Sequence, residues 1–173
     1  SGFSHGVMKV GEVVLSGQTN NTIILCAYLD GPGQANETLS GVLIGLRIFN
    51  LLRNTNTKYT YRLLILSGPA GFTSWIAQNK ELISNIKGVL NLRCLGSVFP
   101  HNLQLSNAQG TVFEQVCKTV MHKTDPECEF TKAGKFFEAL PSGMNPLFTG
   151  DKNDYNLPIL TLYRSLPEKN RNY

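Results

Sequence analysis

Hydrophobic residues fall along this chain in short blocks separated by polar and glycine-rich breaks. Thr22–Leu29 (T-I-I-L-C-A-Y-L) is apolar without alternation, the pattern of a central strand covered on both faces. Tyr59–Leu66 (Y-T-Y-R-L-L-I-L) and Val89–Leu95 (V-L-N-L-R-C-L) read as further buried strands, with Met8–Leu15 and Pro158–Tyr163 as strands nearer the ends. Between them the spacing lengthens to three and four residues. Leu39, Val42, Leu43, Leu46 and Phe49 mark one helix, ending near Arg53-Asn54. Phe72, Trp75, Ile76, Leu82, Ile83 and Ile86 mark a second. Val112, Phe113, Val116 and Val120 mark a third over Thr111–His122, closed by Asp125-Pro126. Glu127–Thr131 reads as a short strand, and residues 99–110 as irregular chain. Leu140–Leu157, rich in Pro, Gly, Asn and Asp, is expected to be a long loop, and Ser165–Tyr173 a frayed tail.

Alternating strands and helices predict one α/β domain over residues 1–173. It would have three layers, a mixed and mostly parallel central sheet with helices on both faces. In the first connection, Asn36 is a plausible helix N-cap and Glu37 a first-turn carboxylate facing the helix dipole. Gly41 and Gly45 each cost a helix interior about 1 kcal/mol relative to alanine. Their presence implies a helix pressed closely onto the sheet. Trp75 is assigned to the core.

Composition narrows the function classes. The chain has 173 residues, 42% hydrophobic and 16% charged, with a net charge of +4. Its cations, among them Lys87, Arg93, Lys118, Lys123, Lys132 and Lys135, form no block, which argues against nucleic acid or an anionic membrane as partner. The apolar runs are too short to span a bilayer, and the first residues lack the basic-then-apolar pattern of a secretory leader. Cys26, Cys94, Cys117 and Cys128 stand far apart with no C-x-x-C pair. Cys26 and Cys94 lie within apolar runs, where thiols pack as small hydrophobes. Reduced cysteines and a cytoplasmic setting are expected. No glycine-rich phosphate loop occurs, and Asp151 and Asp154 lack calcium-loop spacing.

The most specific stretch is Tyr28–Gly41, Y-L-D-G-P-G-Q-A-N-E-T-L-S-G. It resembles the C-H-P-S-x-A-N-D-N-L-S-G signature of the aminopeptidase-like DUF4910 family, which has the M28-type zinc peptidase fold. Flanking segments resemble the same family in order: Gly6–Gly17, Tyr59–Arg62, Cys94–Gly96, Gly143–Phe148 and Leu157–Ser165. The resemblance implies a zinc-aminopeptidase-like sheet whose strand ends present metal ligands, with the N-terminal part of that fold absent from these residues.

Carried over residue by residue, the implied ligands are mostly replaced. The motif histidine falls on Gly31, with Asp30 beside it. The bridging aspartate falls on Glu37, next to Asn36, leaving Glu37 as the remaining metal candidate. The catalytic glutamate falls on Gly68, and a later aspartate falls near Met144 and Asn145, with Phe148 close by. Residues 166–173 contain no histidine. The resemblance therefore implies a vestigial pocket of Asp30, Gly31, Asn36, Glu37, Gly68, Met144, Asn145 and Phe148, with no catalytic residue and no cofactor. The expected role is binding or scaffolding, with a protein partner or second copy on an uncovered sheet edge. The alternative is a metal-dependent hydrolase whose zinc site is rebuilt from Asp30, Glu37, His101 and Asp151 or Asp154. On the first reading His101, His5 and His122 are solvent-exposed.

Overall fold

The computed structural model describes residues 6–29, 35–105, 110–132 and 157–164. Seven strands form one sheet in the order β1-β3-β2-β4-β7-β5-β6. They are β1 (Gly11–Leu15), β2 (Thr22–Tyr28), β3 (Thr60–Leu66), β4 (Ile86–Leu92), β5 (His101–Leu105), β6 (Glu129–Lys132) and β7 (Ile159–Arg164). β3, β2, β4 and β7 run parallel, whereas β1 lies antiparallel on β3 and β5 antiparallel on β7. The sheet is mixed and mostly parallel, as the alternation of elements predicted.

Among the described residues three α-helices cover it: α1 (Ser40–Leu52), α2 (Gly68–Gln78) and α3 (Val112–Thr124). The unbroken apolar run of β2 is divided between two layers. Ile24 and Cys26 pack with Phe72, Trp75 and Ile76 of α2, while Leu25 packs with Phe49 of α1. Leu90 and Leu162 contact both the α1 cluster and the α3 cluster, so those two helices share a face opposite α2. Leu63, Leu64, Leu66, Leu103 and Leu160 are at most 1% exposed. Each buried leucine contributes roughly 1.5–3 kcal/mol.

Glycine decides how closely α1 lies. A Cβ on Gly41 would stand 2.3 Å from the Leu92 carbonyl oxygen, and one on Gly45 2.7 Å from Leu63 Cδ1. α3 is keyed the same way from the sheet side: a Cβ on Gly88 would enter the Phe113 ring at 2.3–2.4 Å. Thr111 caps α3 by accepting from the Glu114 backbone NH at 3.2 Å.

The structure corrects several expectations. Residues 101–105, read as irregular, form β5. Its polar residues Asn102 and Gln104 are buried along with Leu103, so both faces of the strand are covered. Cys94 is not within a strand; β4 ends at Leu92, and Cys94 occupies a turn at φ 48°. The second helix is two pieces, α2 and a 3-10 segment Lys80–Asn85. Asn36 is not an N-cap. A wide turn, Ala35–Leu39, precedes α1, whose N-cap is Leu39 without a side-chain bond. β1 begins at Gly11 rather than Met8. The expected loop 140–157 lies outside the described residues except for Leu157, and the tail 165–173 lies wholly outside them.

Alanine at Gly41 gains about 1 kcal/mol of helix propensity but meets backbone. Overpacking of roughly 1–3 kcal/mol is the larger effect. Gly41→Ala is therefore expected to lower the urea midpoint at unchanged slope, while Asn50→Ala on the exposed face of the same helix leaves it level or slightly raised.

Candidate functional site at the carboxyl edge of the sheet

Parallel strands bring their last residues to one edge, the place where open α/β sheets gather sites. Here that edge holds Tyr28 of β2, Leu66 of β3, Leu92 of β4 and Arg164 of β7. β5 runs the other way, and its first residue, His101, pairs with Arg164. The edge thus collects a histidine from the middle of the chain.

The turn Ala35–Leu39 is stitched to the chain leaving β4. The Gly96 NH donates to Asn36 Oδ1 at 2.7 Å, and the Leu95 NH donates to Ser40 Oγ at 3.0 Å. Ser40 Oγ in turn donates to the Asn36 carbonyl. This stitching brings Glu37 against Arg93, whose Nη2 donates to Glu37 Oε1 at 2.5 Å. The Arg93 guanidinium lies 5.3 Å from the Tyr28 ring centroid, within cation–π range. Its side chain is 14% exposed against 40% for Glu37. Arg93 Nε is buried with no partner.

Cys94 follows directly, and its carbonyl accepts from the Arg164 NH at 3.3 Å. Burial pushes the Cys94 thiol up; the Arg93 charge opposes this and Glu37 adds to it. A raised thiol is a poor nucleophile. Burial also raises Cys26, and lifts Cys117 and Cys128 to about 11. All four cysteines are free.

At the end of β3, Gly68 opens α2, buried and at φ 61°. That left-handed conformation costs any side-chain-bearing residue about 1 kcal/mol or more. Further along the edge, His101 Nδ1 lies 2.6 Å from Asp125 Oδ2, and the His101 backbone NH donates to the same oxygen at 2.9 Å. His101 is accordingly a half-buried strand residue held by a carboxylate, not the exposed loop histidine that was expected. His122 is exposed, its ring 4.7 Å from that of Phe130.

Of the residues expected to form the pocket, Asn36, Glu37 and Gly68 stand at this edge. Asp30, Gly31, Met144, Asn145 and Phe148 lie outside the described residues, as do His5, Asp151 and Asp154. Sequence reasoning counted Arg93 only among the scattered cations. The signal was present: a charge inside the apolar run V-L-N-L-R-C-L needs a partner.

A family model described as "Domain of unknown function (DUF4910)" matches residues 2–173. The chain belongs to the DUF4910 family. A Clostridium acetobutylicum relative, named "Putative polysaccharide biosynthesis protein with aminopeptidase-like domain", is 28% identical over 123 residues, 70% of this chain and 28% of the relative. The chain therefore spans little more than a quarter of that relative's length. Among solved structures, a "putative peptidase" from the same organism superposes with a TM-score of 0.75 at 24% identity, covering 95% of this chain and 37% of the other. A zinc aminopeptidase from Bacillus subtilis gives 0.68 at 14% identity, covering 95% and 41%. These likenesses show the aminopeptidase-like fold.

Zinc in such a fold asks whether this edge would hold it. A zinc ion takes about four N, O or S donors, three of them from protein in a catalytic site. Among the described residues no three of His, Cys, Asp and Glu come together. Glu37 is engaged by a guanidinium, His101 by Asp125, and Gly68 has no side chain to offer. The described donors do not fit the ion.

The Asp125 carboxyl is held below the usual carboxylate range, first by the His101 backbone NH and then by its ring. A depressed folded value means the stabilisation is present above about pH 4 and lost as pH falls through that value. Thermal melts of wild type and Asp125→Asn are expected to differ most near neutrality and to converge in acid.

Proposed function

We propose that this chain is a non-catalytic aminopeptidase-like domain acting in binding or as a structural subunit. The observation that carries the reading is Gly68. The residue matched to the family's catalytic glutamate is buried at φ 61°, a backbone state that glycine favours and glutamate resists. A general base must reach its substrate with a side chain. This position has none.

The Glu37–Arg93 pair supports the same reading, because a guanidinium against the carboxylate opposes a second cation there. The partner is a polypeptide, a second protein or a second copy, and β1 is the edge it would extend. β1 presents Val13 and Val14 at 39% and 41% exposure on a strand that, among the described residues, pairs with β3 alone. No described helix is long and apolar enough to cross a membrane. Free, largely buried thiols support a cytoplasmic setting. The vestigial pocket is proposed to survive at the carboxyl edge around Asn36, Glu37 and Gly68.

A rebuilt metal hydrolase is the second reading, favoured by Glu37 and His101 standing at one edge of the sheet. Release of p-nitroaniline from aminoacyl-p-nitroanilides separates the two. Purified protein is expected to give no turnover above buffer, with or without added zinc. Turnover abolished by chelator would sink the non-catalytic reading.

A further inference from the structure

The carboxylate that the zinc fold would offer to a metal already has a cation against it. Glu37 Oε1 accepts from Arg93 Nη2 at 2.5 Å, and the guanidinium lies 5.3 Å from the Tyr28 ring centroid. One side chain thus ties together the turn after β2, the end of β2 and the end of β4. Cross-linking strand ends through oxygen and π-electron contacts is the mechanical work a bound cation does in a metal site. The geometry points to Arg93 as the resident cation of this edge, a covalently attached positive charge in place of an exchangeable metal.

Charge and distance make the two occupants competitors for one carboxylate. A divalent ion bound to Glu37 at about 2–2.5 Å would stand only about 4–5 Å from a guanidinium on the same carboxylate, and like charges that close repel strongly where water is scarce. Arg93 is 14% exposed and Glu37 40%, so solvent screens this repulsion only in part. Guanidinium does not lose its proton in the range proteins tolerate. A site held this way ignores chelators and moderate pH change, whereas a metal-held site responds to both. The second observation is the stitching beside the pair. Asn36 and Ser40 accept from the Gly96 and Leu95 NH groups, so backbone contacts bring Glu37 to Arg93 without help from an ion.

The test reads stability and metal uptake, not turnover, so it stands apart from the fate of the non-catalytic reading. Wild type, Arg93→Met, Arg93→Lys, Glu37→Gln and the Arg93→Met/Glu37→Gln double variant are melted with EDTA and with millimolar Mn²⁺ or Ca²⁺. Zinc is titrated calorimetrically into each. Wild type is expected to be indifferent to metal and chelator. Arg93→Met should lose on the order of 3–6 °C, regain part of it with Mn²⁺ or Ca²⁺, and regain part of it in the double variant, where the stranded carboxylate is gone. Arg93→Lys should stay indifferent to metal. Uptake of one zinc by wild type that disappears in Glu37→Gln would overturn the proposal. So would strictly additive losses in the two single variants. If Arg93→Met does not fold, Arg93→Lys decides: a metal-induced rise in its Tm refutes the resident cation, and indifference supports it.

Discussion

The close approach of α1 to the sheet at Gly41 fixes much of what lies at the carboxyl edge. With no side chain there, the helix can start directly over the Leu92 carbonyl. That start sets Ser40 opposite the Leu95 NH and Asn36 opposite the Gly96 NH. Glu37 then stands against Arg93. A methyl group at position 41 would lift the helix, and the turn before it would lose both backbone anchors. Packing in the middle of the fold is thus the cause of electrostatics at its rim.

Energetically the Glu37–Arg93 pair is not a source of large net stability. Bringing a cation out of water costs several kcal/mol, and the attraction offsets much of that cost rather than exceeding it by a wide margin. Its value lies in specificity, since the largely buried Arg93 is costly without its partner. The His101–Asp125 contact plays a parallel part at the other end of the edge. There the carboxylate joins the end of α3 to the first residue of β5 through two bonds to one oxygen.

The parts of the fold that could be read from sequence were those where one residue type serves one environment. Thr22–Leu29 announced a strand covered on both faces, and Gly41 and Gly45 announced a close helix; the structure has both. β5 escaped, read as irregular chain, because Asn102 and Gln104 are polar residues of the kind that mark loops, while both are in fact buried. Asn102 answers Glu129 and Thr131 from β6, partners no local pattern reveals. Arg93 escaped for a related reason: Glu37 lies far back in the chain, and only the parallel pairing of β2 with β4 brings them together. Glu37 and Gly68 could be located from the family signature. What holds the one, and which backbone state the other adopts, were matters of tertiary geometry.

The seat of Phe113 over Gly88 has a consequence for how such chains diverge. The ring occupies the volume that any other residue at position 88 would claim, so neither position is free to drift by itself. A bulkier strand residue would be inherited only alongside a smaller helix residue. The two would pass from ancestor to descendant as one linked character, although nothing in the linear sequence joins them.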